Sequence, residues 1–137
     1  MSENEKALDV LDRMLAYYAE NKRGVGANTA ACSYTNGCAV AWACGFSDTA
    51  KDWDRFVDDS SIETVFNRIG ASFFDTLLPE NRIEDIRFWI KMQDLHDSTN
   101  HWDPVWNESE TEVLGNILTD MGQEKVEEIK YYIANNL

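Results

Sequence analysis

Residues 30–46 read Ala-Ala-Cys-Ser-Tyr-Thr-Asn-Gly-Cys-Ala-Val-Ala-Trp-Ala-Cys-Gly-Phe, and how this stretch folds decides what the rest of the chain packs around. It holds all three cysteines, Cys32, Cys38 and Cys44, at equal spacings of six. It lies within Asn21–Ser47, which contains no Asp or Glu, in a chain whose formal charge is -13. An uncharged, small-residue, thiol-bearing segment in so acidic a protein is either a core element or a site. Ala31–Tyr34 suits a short strand, and Thr35-Asn36-Gly37 is a turn signal. The run from Cys38 to Cys44 fits a returning strand or a short buried helix. Its alanines favour helix, with Gly45 as the stop.

Outward from this segment the periodicity is helical. Leu8, Leu11, Leu15 and Tyr18 recur at helix spacing within Glu3–Asn21, widened by Val10, Met14 and Tyr17, with acids near the N-terminal end. Ser47–Ser61 mixes Asp48, Asp52, Asp54, Asp58 and Asp59 with Trp53, Phe56 and Val57, as a loop or single turn docked through its aromatics. Ser60 or Ser61 offers an N-cap for a helix over Ile62–Ile69 that Gly70 ends. Leu77-Leu78-Pro79 is expected to be extended, because a residue before proline avoids the helical region. The apolar arc of Ile83, Ile86, Trp89, Ile90 and Met92 predicts a central buried helix over Arg82–Asp97. Ser98–Asn107 is expected to be a loop. Glu108–Met121 is expected to be a helix with Val113, Leu114, Ile117 and Leu118 on one face, broken by Gly122. Gln123–Asn135 is expected to be the last helix, burying Val126, Ile129 and Ile133. The expectation is a mainly α fold, one compact domain over residues 1–137 with five or six helices and a short β-like turn segment near 31–38.

Composition bounds the function. A chain of 137 residues with 44% hydrophobic residues, five Trp, five Tyr and six Phe can build a core. The start, Met-Ser-Glu-Asn-Glu-Lys, lacks a basic region followed by an apolar run, so no signal peptide is expected. No stretch approaches the roughly 18–20 apolar residues of a membrane span. An odd cysteine count without an export signal points to reduced thiols and a cytoplasmic setting. With 12 basic against 25 acidic residues, direct binding to nucleic acid or an anionic membrane is disfavoured. A basic protein surface is the complementary partner.

Three chemistries compete for the remaining polar residues. Cys32, Cys38, Cys44 and His96 would make four zinc ligands, but the C-x5-C-x5-C spacing lacks the close pairs zinc sites use. Cys38, after the Asn-Gly turn and at a helix start, is the best placed thiol nucleophile, with His96 as base and Asp97 as orienter. The structural alternatives are a buried-thiol core and a His96 settled at a helix C-terminus. Trp102 and Trp106, flanked by acids, are candidate partner anchors together with Asp52, Asp54, Asp58 and Asp59. The paired carboxylates do not have the spacing of a calcium loop, and Gly24-Val25-Gly26 alone does not make a phosphate loop. No cofactor is expected.

Cys32-x-Tyr34, Gly37-Cys38-Ala39-Val40, Leu78-Pro79, Gln93-x-x-His96-Asp97 and Trp102 form an ordered set. It resembles a group of short bacterial and phage proteins without an established activity, which carry a C-x-Y…C-A-V/I-G block and an L-Q-x-x-H-D block. The resemblance spans Cys32–Trp102. Ala41 stands where that group usually has glycine, and Met92 replaces the usual leucine before Gln93. The resemblance implies a prokaryotic or phage setting, and that the Cys and His-Asp blocks pack together. The functional expectation is an acidic interaction protein, more a binder than an enzyme, that occupies the basic, nucleic-acid-binding surface of a host defence protein as an inhibitor. The alternatives are a small thiol-dependent hydrolase using Cys38 and His96, and a structural zinc-binding module.

Overall fold

The structure, a computed structural model, describes residues 2–20, 39–44, 62–97 and 100–137. Among these the protein is mainly α. Helices α1 (Glu3–Ala19), α2 (Ala39–Cys44), α3 (Ile62–Ile69), α4 (Ile86–Asp97) and α5 (Asp120–Asn136) are joined by two stretches of 3-10 helix and one antiparallel hairpin, β1 (Trp102–Trp106) and β2 (Val113–Leu118). The predicted strand at 31–34, the turn at 35–37 and the acidic segment 47–61 lie outside the described residues.

Helix α1 begins as its sequence suggests. The Ser2 hydroxyl accepts the Glu5 N–H at 3.1 Å, and Glu3 and Glu5 face the positive end of the helix dipole. Its buried stripe is Ala7, Val10, Leu11, Met14 and Tyr18, while Leu8 and Leu15 are half-buried and Tyr17 is exposed. The stripe is thus turned slightly from the one predicted.

Two short devices fix the middle of the chain. Gly70, at φ +64°, lets the chain leave α3 and continue as 3-10 helix over Gly70–Thr76. Leu77 and Leu78 are extended as the proline predicts, and Pro79 opens a single 3-10 turn, Pro79–Asn81. Buried Asn81 then ties two helices together. Its Nδ2 donates to the Ala43 carbonyl of α2 at 3.0 Å, and its Oδ1 accepts from Arg13 of α1 at 2.7 Å. The Leu78 N–H also reaches Ala43 O, so a carbonyl left over at the end of α2 is doubly satisfied.

Helix α4 starts at Ile86, four residues later than Arg82. Asp85 is the reason: its Oδ1 accepts the Phe88 N–H at 2.9 Å, an N-cap bond that requires non-helical backbone at Asp85. Ile83 stays outside the helix and buried, and its carbonyl receives the Trp89 indole N–H at 2.9 Å. From there α4 is the central helix, burying Phe88, Trp89, Met92 and Leu95, each worth roughly 1.5–3 kcal/mol of transfer free energy. It packs against α2, α3 and α5.

The largest correction concerns residues 98–121. In place of the expected loop and helix, the described residues from 100 onward form the hairpin over 102–118 and the start of α5. Val113, Leu114, Ile117 and Leu118 satisfy helix spacing, but Gly115 and Asn116 between them are poor helix formers. Tertiary contacts take advantage of both. Asn116 Nδ2 donates to the Tyr18 carbonyl at 2.9 Å, and Gly115 sits so close to the Ala19 carbonyl that a Cβ would overlap it. Asn107 organises the connection: its Oδ1 accepts the Thr111 and Glu112 N–H groups at 2.9 and 3.2 Å. Gly122 does not break a helix. It lies in the first turn of α5, where Thr119 is the N-cap, and its lack of a Cβ admits the His101 carbonyl.

Candidate functional site

The cysteine–histidine hypothesis meets the structure only in part. Cys32 and Cys38, and the Asp97 side chain, lie outside the described residues. Cys44 is buried, its Sγ 3.5 Å from Thr76 Oγ1. His96 is only 3% exposed, with Nδ1 3.4 Å from Gln93 Nε2 and its ring 5.1 Å from that of Tyr18. The element carrying Cys44 does pack against the one carrying His96. His96 is therefore placed in the core between α4 and α1 and not at a solvent-facing catalytic position. Among the described residues no group of three or more His, Cys, Asp or Glu converges as a metal site.

Trp102 is corrected from surface anchor to core residue. It is buried, its ring edge-on to Tyr18 at 5.8 Å, and its indole N–H donates to the Leu95 carbonyl at 3.0 Å. Trp106, four residues on, is 50% exposed and keeps the anchor role available. Asp52, Asp54, Asp58 and Asp59 lie outside the described residues.

The surface that sequence reasoning missed is the rest of the hairpin. Of seven exposed large hydrophobics among the described residues, five fall on it or on the helix start after it: Val105, Trp106, Leu114, Ile117 and Met121. The register pairs Asp103 with Ile117, Val105 with Gly115 and Trp106 with Val113, with a bulge after Val105. The two-residue pleat therefore puts Asp103, Val105 and Ile117 on one face, opposite the face of Trp102 and Leu118, with the end of α1 lying against Gly115 between the two exposed apolar residues. Alternation assigns Trp106 to the other face, so the exposed apolar residues cluster along one short hairpin and not on a single face.

The charge around the hairpin is one-sided. Between Lys91 and Lys125 the sequence has eight acidic residues and no Lys or Arg. Some acids outside this run are paired with cations. Glu128 is 3.0 Å from Lys91 and 3.2 Å from Lys125, and these contacts, the Lys91 hydrogen bond first, hold its pKa below the ordinary glutamate value. Arg82 bridges Glu84 and Asp75, whose hydrogen bonds raise its pKa further. Asp103, Glu108, Glu110, Glu112, Asp120 and Glu124 make no ion pair among the described residues. That cation-free run was readable from sequence; its meeting with exposed apolar residues required the hairpin.

Strand addition is not what this surface is built for. The Thr119 N–H bonds the His101 carbonyl at 3.0 Å, so His101 and Thr119 form a hydrogen-bonded pair. Alternation then makes Trp102–Leu118 and Pro104–Asn116 non-hydrogen-bonded pairs, whose peptide groups point to the open edges. Pro104 thus loses no ladder bond, and it removes an N–H from the outer edge of β1.

No protein-family model, curated protein or solved structure matches the chain. No helix among the described residues is long and apolar enough to cross a membrane.

Proposed function

We propose that the chain is a non-enzymatic, acidic interaction protein that docks through its hairpin onto a basic, nucleic-acid-binding surface of a partner protein. The observation that carries this is that Val105, Trp106, Leu114 and Ile117 are all exposed on one short hairpin, amid Asp103, Glu108, Glu110, Glu112, Asp120 and Glu124, which make no ion pair among the described residues. Apolar anchors supply desolvation energy, and the surrounding like charges supply steering and rejection of acidic competitors. The charge of -13 gives the chain the sign of a phosphate backbone. The resemblance to short bacterial and phage proteins supports the finer version, an inhibitor of a host defence protein in the cytoplasm.

Capture from bacterial lysate at low and high salt, comparing wild type with Trp106→Ser, tests this. The expected result is a partner released by salt, displaced by duplex DNA and lost in the variant. Capture that ignores salt and DNA, or the absence of any partner, overturns the electrostatic mechanism.

A further inference from the structure

The base of the hairpin carries a second, concave feature. Leu15, Ala16 and Ala19 of α1 line an open trough of about 490 Å³ together with Trp102 and Leu118 from one side of the hairpin and Ile117 at its edge. Its lining is mostly carbon, and its α1 wall is low because Ala16 and Ala19 are small. Both rims are acidic. On α1, Asp12 and Glu20 lie one turn either side of Ala16, in one row of the helix. On the other rim, Asp120 and Glu124 flank Gln123, which joins the trough to a neighbouring groove. None of these four carboxylates has an ion pair among the described residues.

Resting on the proposed interaction role, we infer that the trough receives an aliphatic side chain from a partner segment that carries Lys or Arg on both sides of it. The hairpin thus inserts knobs while its base offers a hole. Charge selects this occupant over the others. A second copy of the chain brings another -13, and a nucleic acid or an anionic membrane brings the same sign, so each is repelled from the acidic rims. A cationic segment without an apolar residue leaves the hydrocarbon floor in water, so it gains the rim charges alone. Partner choice is then set by the two chemistries together, a basic residue pattern interrupted by one aliphatic group.

The test uses the full chain and two blocked peptides of equal charge, acetyl-Lys-Lys-Leu-Lys-Lys-amide and its Ser analogue, titrated by nuclear magnetic resonance. The leucine peptide is expected to bind about tenfold tighter, with shifts centred on Ala16, Ala19 and Ile117. Ala16→Phe, at an exposed helix position, fills the trough and erases the difference between the peptides. Asp120→Asn/Glu124→Gln weakens both peptides more than the equal charge change Glu63→Gln/Glu80→Gln. Equal affinity of the two peptides, no saturable binding at millimolar concentration, or an unaltered preference in Ala16→Phe overturns the inference. Partner capture that survives Ala16→Phe but fails in Trp106→Ser would sink the trough and leave the hairpin docking intact.

Discussion

The indole N–H of Trp102 donates to the Leu95 carbonyl at 3.0 Å, and this single bond fastens the first residue of the hairpin to the last turn of the central helix. His101 Nδ1 lies 3.2 Å from the same oxygen. The orphan carbonyl at a helix end is thereby capped by side chains from the chain that follows it. The arrangement also separates two tryptophans of similar sequence context into a structural residue and an exposed one.

Trp102→Phe keeps most of the apolar volume but removes the donor. Because His101 still reaches Leu95 O, the cost is expected to be about 1–2 kcal/mol. Trp106→Ser is expected to change stability by less than about 0.5 kcal/mol, since it lies on the surface away from any cap or core contact. Urea denaturation of the two variants checks the contrast. Equal destabilisation would mean that Trp106 is also structural.

Gly122→Ala is expected to destabilise, against its helix propensity. Alanine in a helix gains about 1 kcal/mol over glycine. Here the new Cβ would overlap the His101 carbonyl, which belongs to backbone and cannot rotate away. Overpacking of this kind costs roughly 1–3 kcal/mol, so the net change is a loss. Gly115→Ala meets the Ala19 carbonyl in the same way. Thermal melts that rise for either variant would contradict the packing described.

The Tyr132 hydroxyl donates to the Asp85 carboxylate, 3.0 Å from each oxygen, and joins α5 to the cap of α4. Burial first, then the hydrogen bond to Asp85, raises the tyrosine pKa above 10.0. A group with a raised folded pKa gives stability that is present below its unfolded pKa and is lost as pH rises through the folded value. Stability is therefore expected to fall at alkaline pH, above the ordinary tyrosine range. Tyr132→Phe is expected to lose about 1 kcal/mol at neutral pH and to lack that part of the alkaline decline. Denaturation midpoints across pH for both proteins measure it.

Glu128 has the opposite sign. Its pKa is depressed by Lys91 first, so its contribution is present above the ordinary glutamate range and is lost as pH falls through the depressed value. Glu128 is half exposed, so solvent screening keeps the effect small. Glu128→Gln is expected to flatten the acid limb of the stability profile slightly and to leave the alkaline limb unchanged.

Much of the helical frame is legible in the sequence because burial there follows one period. Val126, Ile129 and Ile133 on α5 and the stripe of α1 need only helix spacing to be found. Periodicity alone starts α4 too early because apolar Ile83 extends the arc backward, while the Asp85 cap that stops it is a single polar residue. The hairpin escapes local periodicity for a deeper reason. Spacings of three and four among Val113, Leu114, Ile117 and Leu118 fit a helix, and strand pairing with Trp102–Trp106 is a nonlocal event that no window reveals. Pro104, Asn107 and the Gly115-Asn116 pair were the available signs. The same limit hides the candidate site, since a helix would have scattered Leu114 and Ile117 away from Val105 and Trp106.

Pro104 has a consequence for how the protein behaves when concentrated. A hairpin that displays Val105, Trp106, Leu114 and Ile117 would be a hazard if its outer strand could template copies of itself into a growing fibril. With an amide donor missing from that rim and like charges on every copy, stacking is interrupted at the first layer. Under the proposed docking role, the hairpin can present these side chains while the rim of β1 discourages copies from adding to it.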